Sequence, residues 1–165
     1  MMNSIETVIS RQPFIVRRHV RWGDCDPAGV VYTGRFTDYL MGAVMLFFSE
    51  LAADSHDGRY HDMVAALGVD TPCRGMHLDF RHALWPEDEF DIAVTVGRIG
   101  GSSWDIDVTA TRCDGPIAFT GRFSPVCINR GGERADARAT AIPPALRTRL
   151  NAHVASSGID ATTVK

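Results

Sequence analysis

The sequence lacks paired cysteines. Its 165 residues include four that are widely scattered: Cys25, Cys73, Cys113 and Cys127. No two of them form a Cys-x-x-Cys pair, which excludes the common zinc and dithiol redox motifs, so we expect reduced thiols in a cytoplasmic protein. His56 and His61 are five residues apart, whereas neighbours on one helix face are three or four apart. We therefore predict no metal site and no other cofactor.

A strong charge of either sign and a long hydrophobic run are also missing. The formal net charge of −3 gives no general attraction to nucleic acid or to an anionic membrane. Residues 1–12 have no apolar core, so no signal peptide is predicted. The most apolar stretch is interrupted by Arg35, Asp38 and Glu50, and a bilayer span needs about 20 predominantly apolar residues. We expect no nucleic-acid partner and no membrane partner.

Hydrophobic content of 45% and the absence of repeats predict a single globular domain over residues 1–165. Residues 1–13 and 154–165 are predicted to be flexible. A first strand is predicted from Phe14 to Trp22. A long helix is predicted from about Tyr32 to Ala53, with these apolar residues at helical spacing: Phe36, Tyr39, Leu40, Ala43, Val44, Phe47 and Leu51. Because this helix is apolar on most sides, we expect it to be enclosed.

After a short predicted helix from His61 to Leu67, the hydrophobic period changes to two. Met76, Leu78 and Phe80 alternate with polar residues and predict a half-buried strand, and three more strands follow. Asp114-Gly115 is a hairpin signal between the last two of them. An antiparallel sheet with alternating faces can wrap one apolar helix, so this order predicts an α+β fold.

The stretch from Trp22 to Tyr32, WGDCDPAGVVY, places two carboxylates in a sharp turn before the long helix. Gly29 permits backbone geometry that other residues resist. The first N–H groups of a helix have no intrahelical partner and lie at its positive end. A carboxylate beside such amides can attack a carbonyl while the amides stabilise the oxyanion. An alternative interpretation is that Asp24 or Asp26 simply caps the helix.

The segment Gly23–Tyr32 closely resembles the signature of the 4-hydroxybenzoyl-CoA thioesterase family of hot-dog-fold enzymes, and the order of elements fits that family over most of the chain. The resemblance implies a hot-dog fold, in which an antiparallel sheet wraps around a long central helix. It implies hydrolysis of an acyl-CoA whose acyl group is aromatic, hydroxybenzoyl-like, or short. It also implies a homodimer, or a homotetramer of two dimers, with active sites at the subunit junction.

The resemblance also assigns roles to residues of the motif. The second acid of the signature is the family's catalytic carboxylate, which is Asp26 here, acting as a nucleophile or as a base for water. The carbonyl oxygen would lie against backbone N–H groups near Tyr32 and Thr33. Asp24 is the second candidate acid and is expected mainly to orient the loop. The residues expected to contact the substrate are Trp22, Gly29 and Asp24.

CoA contacts are less clearly marked in the sequence. Aromatic-substrate members of the family have a basic cluster after a strand, where this chain has one arginine followed by glycines and serines. Backbone N–H groups of such residues can hold phosphate oxygens. The candidate CoA-binding residues are Arg98, Ser102, Ser103 and Arg130.

Two departures separate this chain from other branches of the fold. Related acyl-CoA thioesterases have a histidine directly after the tyrosine at the helix start, where this chain has Thr33. Other members use a glutamate on the central helix, but Glu50 is about five turns into it, while Asp38 is closer to its start. Two further functions remain open: a hot-dog hydratase or dehydratase, which needs a histidine near its acid, and a non-catalytic acyl-CoA-binding protein.

Overall fold

The structure, a computed structural model, describes residues 5–55, 58–130 and 136–154. Six strands form one sheet in the spatial order β1-β2-β5-β6-β7-β4, and all neighbouring pairs are antiparallel. Two short strands, β3 and β8, pair separately. The elements in chain order are β1 (Glu6–Arg11), β2 (Phe14–His19), α1 (Arg35–Leu51), α2 (Tyr60–Ala66), β3 (Val69–Asp70), β4 (Cys73–Phe80), β5 (Glu89–Ile99), β6 (Trp104–Arg112), β7 (Ile117–Pro125), β8 (Ile128–Asn129) and α3 (Pro144–Asn151). None of these helices is both long and apolar enough to cross a membrane.

The long helix α1 packs its apolar face into the sheet, as its periodicity predicts. The residues predicted for that face are all buried: Phe36, Tyr39, Leu40, Ala43, Val44, Phe47 and Leu51. Aromatic rings of three strands meet them at centroid distances of 5.2–5.4 Å, namely Phe14, Phe90 and Phe119. Burial of one such side chain contributes about 1.5–3 kcal/mol. Because so many of them lie on one helix, α1 forms the centre of the core. The predicted α+β architecture is confirmed.

The N-terminal segment differs from the prediction. Residues 1–13 were expected to be flexible, but Glu6–Arg11 forms β1 and pairs with β2 in a register that places Thr7 opposite Arg17. Val8 packs against the core, and the strand is stabilised by pairing with β2 rather than by its own composition. Residues 1–4 and 155–165, also predicted to be flexible, lie outside the described residues.

Strand β4 differs only in part from the predicted half-buried strand, because Leu78 is partly buried against the core while Met76 and Phe80 are more exposed. It forms one edge of the sheet, next to β7. Met76 is 41% exposed and Phe80 is 48% exposed. Their partners across the ladder, Phe123 and Phe119, are buried, so these β4 side chains lie on the inner face of the sheet, where Phe80 also contacts Phe36 of α1.

Gly121 on β7 brings the sheet close to α1, and replacing it should destabilise the fold. An added Cβ would lie 2.5 Å from Leu40 Cδ1 and 3.1 Å from the His77 carbonyl oxygen. Because Leu40 is fully buried and cannot easily move, we expect Gly121→Ala to lower the free energy of unfolding by about 1–2 kcal/mol in urea titrations. Gly101→Ala is the matched control, since no atom lies within 4 Å of a Cβ there. Equal stabilities of the two variants would contradict this packing.

Candidate active site

The loop between β2 and α1 is closed on itself by backbone hydrogen bonds. Asp26 N–H donates to Val30 O and Gly29 N–H donates to Asp26 O, both at 2.9 Å, and Cys25 bridges to Val31. Gly29 has φ = 82°, a left-handed conformation that favours glycine. The predicted chain reversal is therefore confirmed, with Gly29 serving the turn.

Asp26 lies half-buried at the tip of this loop. Its Oδ1 accepts a hydrogen bond from Ala28 N–H at 2.8 Å, which fixes the side chain within the turn. Helix α1 begins after Gly34 and has no side-chain capping hydrogen bond. The alternative that Asp24 or Asp26 caps this helix is therefore wrong.

The start of α1 lies three residues later than predicted, and this changes which amides are available. Tyr32 N–H donates to the carbonyl oxygen of Asp24 at 2.9 Å, so it is already occupied. In the part of the chain that the structure describes, the N–H groups of Thr33 and Gly34 have no hydrogen-bond acceptor. Of the two expected oxyanion donors, Thr33 is thus open and Tyr32 is engaged in holding the loop.

Asp24 is 1% exposed and is held by several donors. Its Oδ2 accepts from Tyr39 Oη at 3.1 Å and from Arg21 N–H at 3.2 Å, and its Oδ1 accepts from Arg21 Nη2 at 3.3 Å. Burial alone would raise the pKa of this carboxyl, but the hydrogen bonds from Arg21 and Tyr39 outweigh it and hold the pKa below its usual value. Asp24 is therefore an ionised structural group inside the loop.

A cleft of about 270 Å³ lies between the loop, the start of α1 and the segment after β4. Thr33 lines it together with apolar and aromatic side chains. Phe36 and Phe80 meet edge-on there at 4.8 Å, and His82 lies at the rim with its Nδ1 2.8 Å from Ile117 O. The sequence predicts a half-buried strand at Phe80 and does not single out His82, because the cleft depends on how β4 ends beside α1.

Trp22 does not line this cleft. It sits in a short 3-10 turn (Trp22–Asp24), is 72% exposed, and its Nε1 donates to Glu87 Oε1 at 3.4 Å. Gly29 is exposed and shapes the turn. Neither Trp22 nor Asp26 is among the residues that line the cleft, whereas Thr33 is.

The four candidate CoA-binding residues lie at the opposite end of the sheet from Asp26. Glu89, where β5 begins, pairs with His19 just before the loop, whereas Arg98 is nine residues further along β5, about 30 Å away. Arg98 lies 4.0 Å from Asp105, and Arg130 pairs with Asp70 at 3.2 Å. Ser102 and Ser103 are in the β5–β6 connection and bond to the segment after β7. Within one chain, these four residues are therefore far from the loop that carries Asp26.

The described ranges contain no group of three histidine, cysteine, aspartate or glutamate residues arranged to hold a metal ion. The loop carries Asp26, and the open Thr33 amide follows the loop, just before α1, at a residue that lines the cleft. An unpaired amide beside a cleft can polarise the oxygen of a carbonyl group bound there.

Comparison with known proteins identifies the family. Residues 20–150 match the sequence model of the thioesterase-like superfamily. A 1,4-dihydroxy-2-naphthoyl-CoA thioesterase from Synechocystis superposes with a TM-score of 0.69 at 18% identity, covering 84% of this chain and 95% of that one. The 4-hydroxybenzoyl-CoA thioesterase from Pseudomonas sp. strain CBS-3 gives 0.68 at 20% identity, covering 82% and 96%. A hypothetical protein from Staphylococcus aureus, solved in complex with CoA, gives 0.72 at 14% identity, covering 93% and 87%.

No curated protein sequence matches the chain significantly. The structural likenesses confirm the predicted hot-dog fold, and the family match covers both the loop and the cleft. The chain therefore belongs to the thioesterase-like superfamily and is a thioester hydrolase of the hot-dog fold.

Proposed function

We propose that the protein hydrolyses an acyl-CoA thioester to the free acid and CoA, with Asp26 as the catalytic carboxylate. The observation that carries this proposal is the unpaired Thr33 amide, which lines a cleft next to the loop that carries Asp26. The thioester oxygen would accept a hydrogen bond from Thr33 N–H. Tyr32, whose amide is engaged by Asp24, serves to hold the loop.

Two routes are compatible with this arrangement. As a nucleophile, an Asp26 oxygen bonds to the carbonyl carbon, the carbon–sulfur bond breaks with its electron pair leaving on CoA, and water then hydrolyses the mixed anhydride. As a general base, Asp26 takes a proton from water, whose oxygen attacks the same carbon. In both routes a thiolate is a good leaving group, so no strong acid is needed at sulfur.

The cleft supports an acyl group of modest size. Its volume of about 270 Å³ and the edge-on pair of Phe36 and Phe80 suit a single aromatic ring or a short acyl chain. Aromatic acyl groups such as hydroxybenzoyl are therefore the first substrates to test. The resemblance of the loop to the 4-hydroxybenzoyl-CoA thioesterase signature supports the same choice.

CoA contacts require a second copy of the chain. Two-fold pairing of β4 with β4 of a partner would be antiparallel, so it reverses the direction of the partner's sheet. The end that carries Arg98, Ser102, Ser103 and Arg130 in the partner would then lie at the Asp26 end of this chain. The exposed apolar residues Met76 and Phe80 lie on this edge and support a homodimer, or a tetramer of two such dimers.

The dimer predicts the effect of a charge on the β4 edge. Met76→Asp should convert dimers to monomers at micromolar concentration, because the pairing would bury an unpaired carboxylate. With the partner's CoA contacts gone, we expect KM for acyl-CoA to rise at least about tenfold, equal to 1.4 kcal/mol of binding. Light scattering coupled to size exclusion and steady-state kinetics measure the two effects.

Ile9→Asp is the matched control. Ile9 is an equally exposed isoleucine on β1, at the other edge of the same sheet. This variant should keep the mass and the KM of the unmodified protein. A monomeric unmodified protein with full activity, or a loss of the dimer in Ile9→Asp alone, would refute the β4 interface.

A panel of acyl-CoA substrates separates the proposed function from its alternatives. Free thiol from benzoyl-CoA and hydroxybenzoyl-CoA, detected with a thiol reagent, supports hydrolysis. Water addition to an enoyl-CoA without thiol release would instead support a hydratase. Tight acyl-CoA binding without any reaction would support a non-catalytic binding protein.

All four cysteines are unpaired, which supports the proposed cytoplasmic location.

A further inference from the structure

A buried polar chain connects the N-terminal hairpin to the back of the candidate loop. Glu6 on β1 forms an ion pair with Arg18 on β2. The Arg18 guanidinium lies over the Tyr39 ring, 4.3 Å from its centroid, and the Tyr39 hydroxyl donates to Asp24 at 3.1 Å. The Glu6 side chain packs against α1 at Gly42, where an added Cβ would lie 2.6 Å from Glu6 Oε1. The chain thus joins β1, β2, α1 and the loop.

Every central member of this chain is buried. Arg18 is 8% exposed, Tyr39 is fully buried and Asp24 is 1% exposed. Burial raises the pKa of Tyr39, and the charge of Asp24 raises it further, so the phenol remains a hydrogen-bond donor. Burial lowers the pKa of Arg18, but a guanidinium stays charged in proteins. The Arg18 guanidinium and the Asp24 carboxylate are therefore both buried, and the Tyr39 side chain contacts both of them.

Asp24 connects this chain of contacts to the residues just before α1. Its carbonyl oxygen accepts the Tyr32 N–H at 2.9 Å, and Thr33 is the next residue. A shift of Asp24 would move Tyr32 and therefore the Thr33 amide. In the proposed reaction, that amide must point at a developing oxyanion, for which donor distances of about 2.7–3.1 Å are needed.

We propose that Tyr39 and Arg18 are positioning residues for this reaction: through Asp24 they hold the Thr33 amide and the Asp26 loop in their reactive geometry. This inference rests on the proposed function for its kinetic part. Arg18 and Glu6 lie before residue 20, where the family match begins, so the β1–β2 hairpin contributes to the site from outside the matched region. Neither residue approaches the cleft itself.

Tyr39→Phe is the direct test, because it removes one oxygen and keeps the ring beneath Arg18. We expect kcat to fall about tenfold while KM stays within twofold, since substrate binding does not involve Tyr39. Hydrogen exchange of the Tyr32 amide, followed by NMR in the intact protein without substrate, should become at least tenfold faster. Arg18→Met should change both quantities in the same direction.

Tyr60→Phe is the matched control. Tyr60 is a partly buried tyrosine that packs against the core, stacked on Phe48 at 4.1 Å, and its hydroxyl contacts Thr71 Oγ1 at 3.2 Å. It lies on α2, away from the loop, so its loss of a hydroxyl should leave kcat and the Tyr32 exchange rate unchanged. A general loss of stability would instead affect both tyrosine variants alike.

Two results with Tyr39→Phe alone would overturn the proposal: unchanged Tyr32 exchange, or faster exchange with unchanged kcat. An equal rise of exchange in Tyr60→Phe would also overturn it, because the effect would then not be local. If the unmodified protein releases no CoA from any thioester, the proposed function fails. The exchange measurement still decides in that case whether Tyr39 holds the loop.

Discussion

Replacing Asp26 with asparagine should lower kcat for acyl-CoA hydrolysis about 10³-fold, within the range of 10²–10⁴ that a catalytic acid or base contributes. The amide keeps the shape of the side chain and can still accept the 2.8 Å hydrogen bond from Ala28 N–H, so the turn should survive. It cannot act as a nucleophilic carboxylate or take a proton from water. KM should change less than threefold, and thiol release under saturating substrate measures the effect.

Asp38→Asn is the control for this result. Asp38 is an exposed carboxylate in the first turn of α1, paired with Arg35 at 3.0 Å. It is the acid on α1 that lies nearest the start of the helix. Its loss should change kcat less than twofold. A large loss in Asp38→Asn with full activity in Asp26→Asn would move the catalytic role to Asp38 and refute the proposed mechanism.

Single-turnover hydrolysis in ¹⁸O water distinguishes the two roles of Asp26. Attack by the carboxylate forms an anhydride, and opening of that anhydride by water at the aspartyl carbon leaves the label in Asp26. General-base catalysis places the label only in the released acid. Label found by mass spectrometry in the peptide that contains Asp26 therefore demonstrates the anhydride route, with Asp26→Asn as the blank.

Replacing Thr33 with proline should lower kcat about 10²–10³-fold, the loss seen when one oxyanion donor is removed from an acyl-transfer enzyme. Proline has no N–H, and it is tolerated just before or within the first turn of a helix. Thr33 N–H has no acceptor in the described part of the chain, so its removal breaks no hydrogen bond of the fold. The expected loss is therefore one of catalysis, with thermal unfolding close to that of the unmodified protein.

Thr33→Ala is the matched variant, because it removes the side chain and keeps the amide. It should retain kcat within about threefold. If alanine and proline reduce kcat equally, the Thr33 hydroxyl rather than its N–H would be the important group. If neither reduces it while the fold is intact, the oxyanion would have to be bound elsewhere, and the proposed geometry would be wrong.

Local chemistry made much of this protein predictable from its sequence. The apolar period of α1 identified its buried face, Asp114-Gly115 marked the turn between β6 and β7, and Gly29 marked the reversal of the loop. Each of these depends on residues close together in the chain, through side-chain spacing or backbone freedom. The motif carrying Asp26 is contiguous as well, so its place before the central helix was predictable.

Contacts between distant segments decided the rest. β1 exists because it pairs with β2, and Met76 and Phe80 are exposed because β4 lies at the edge of the sheet. No local pattern shows that Asp24 occupies the Tyr32 amide or that Tyr39 reaches Asp24 across 15 residues of chain. The composition and spacing of the sequence by themselves determined the α+β core and the position of the acidic loop. Only the tertiary structure decided which amides stay open before α1, because that depends on hydrogen bonds and packing between different elements.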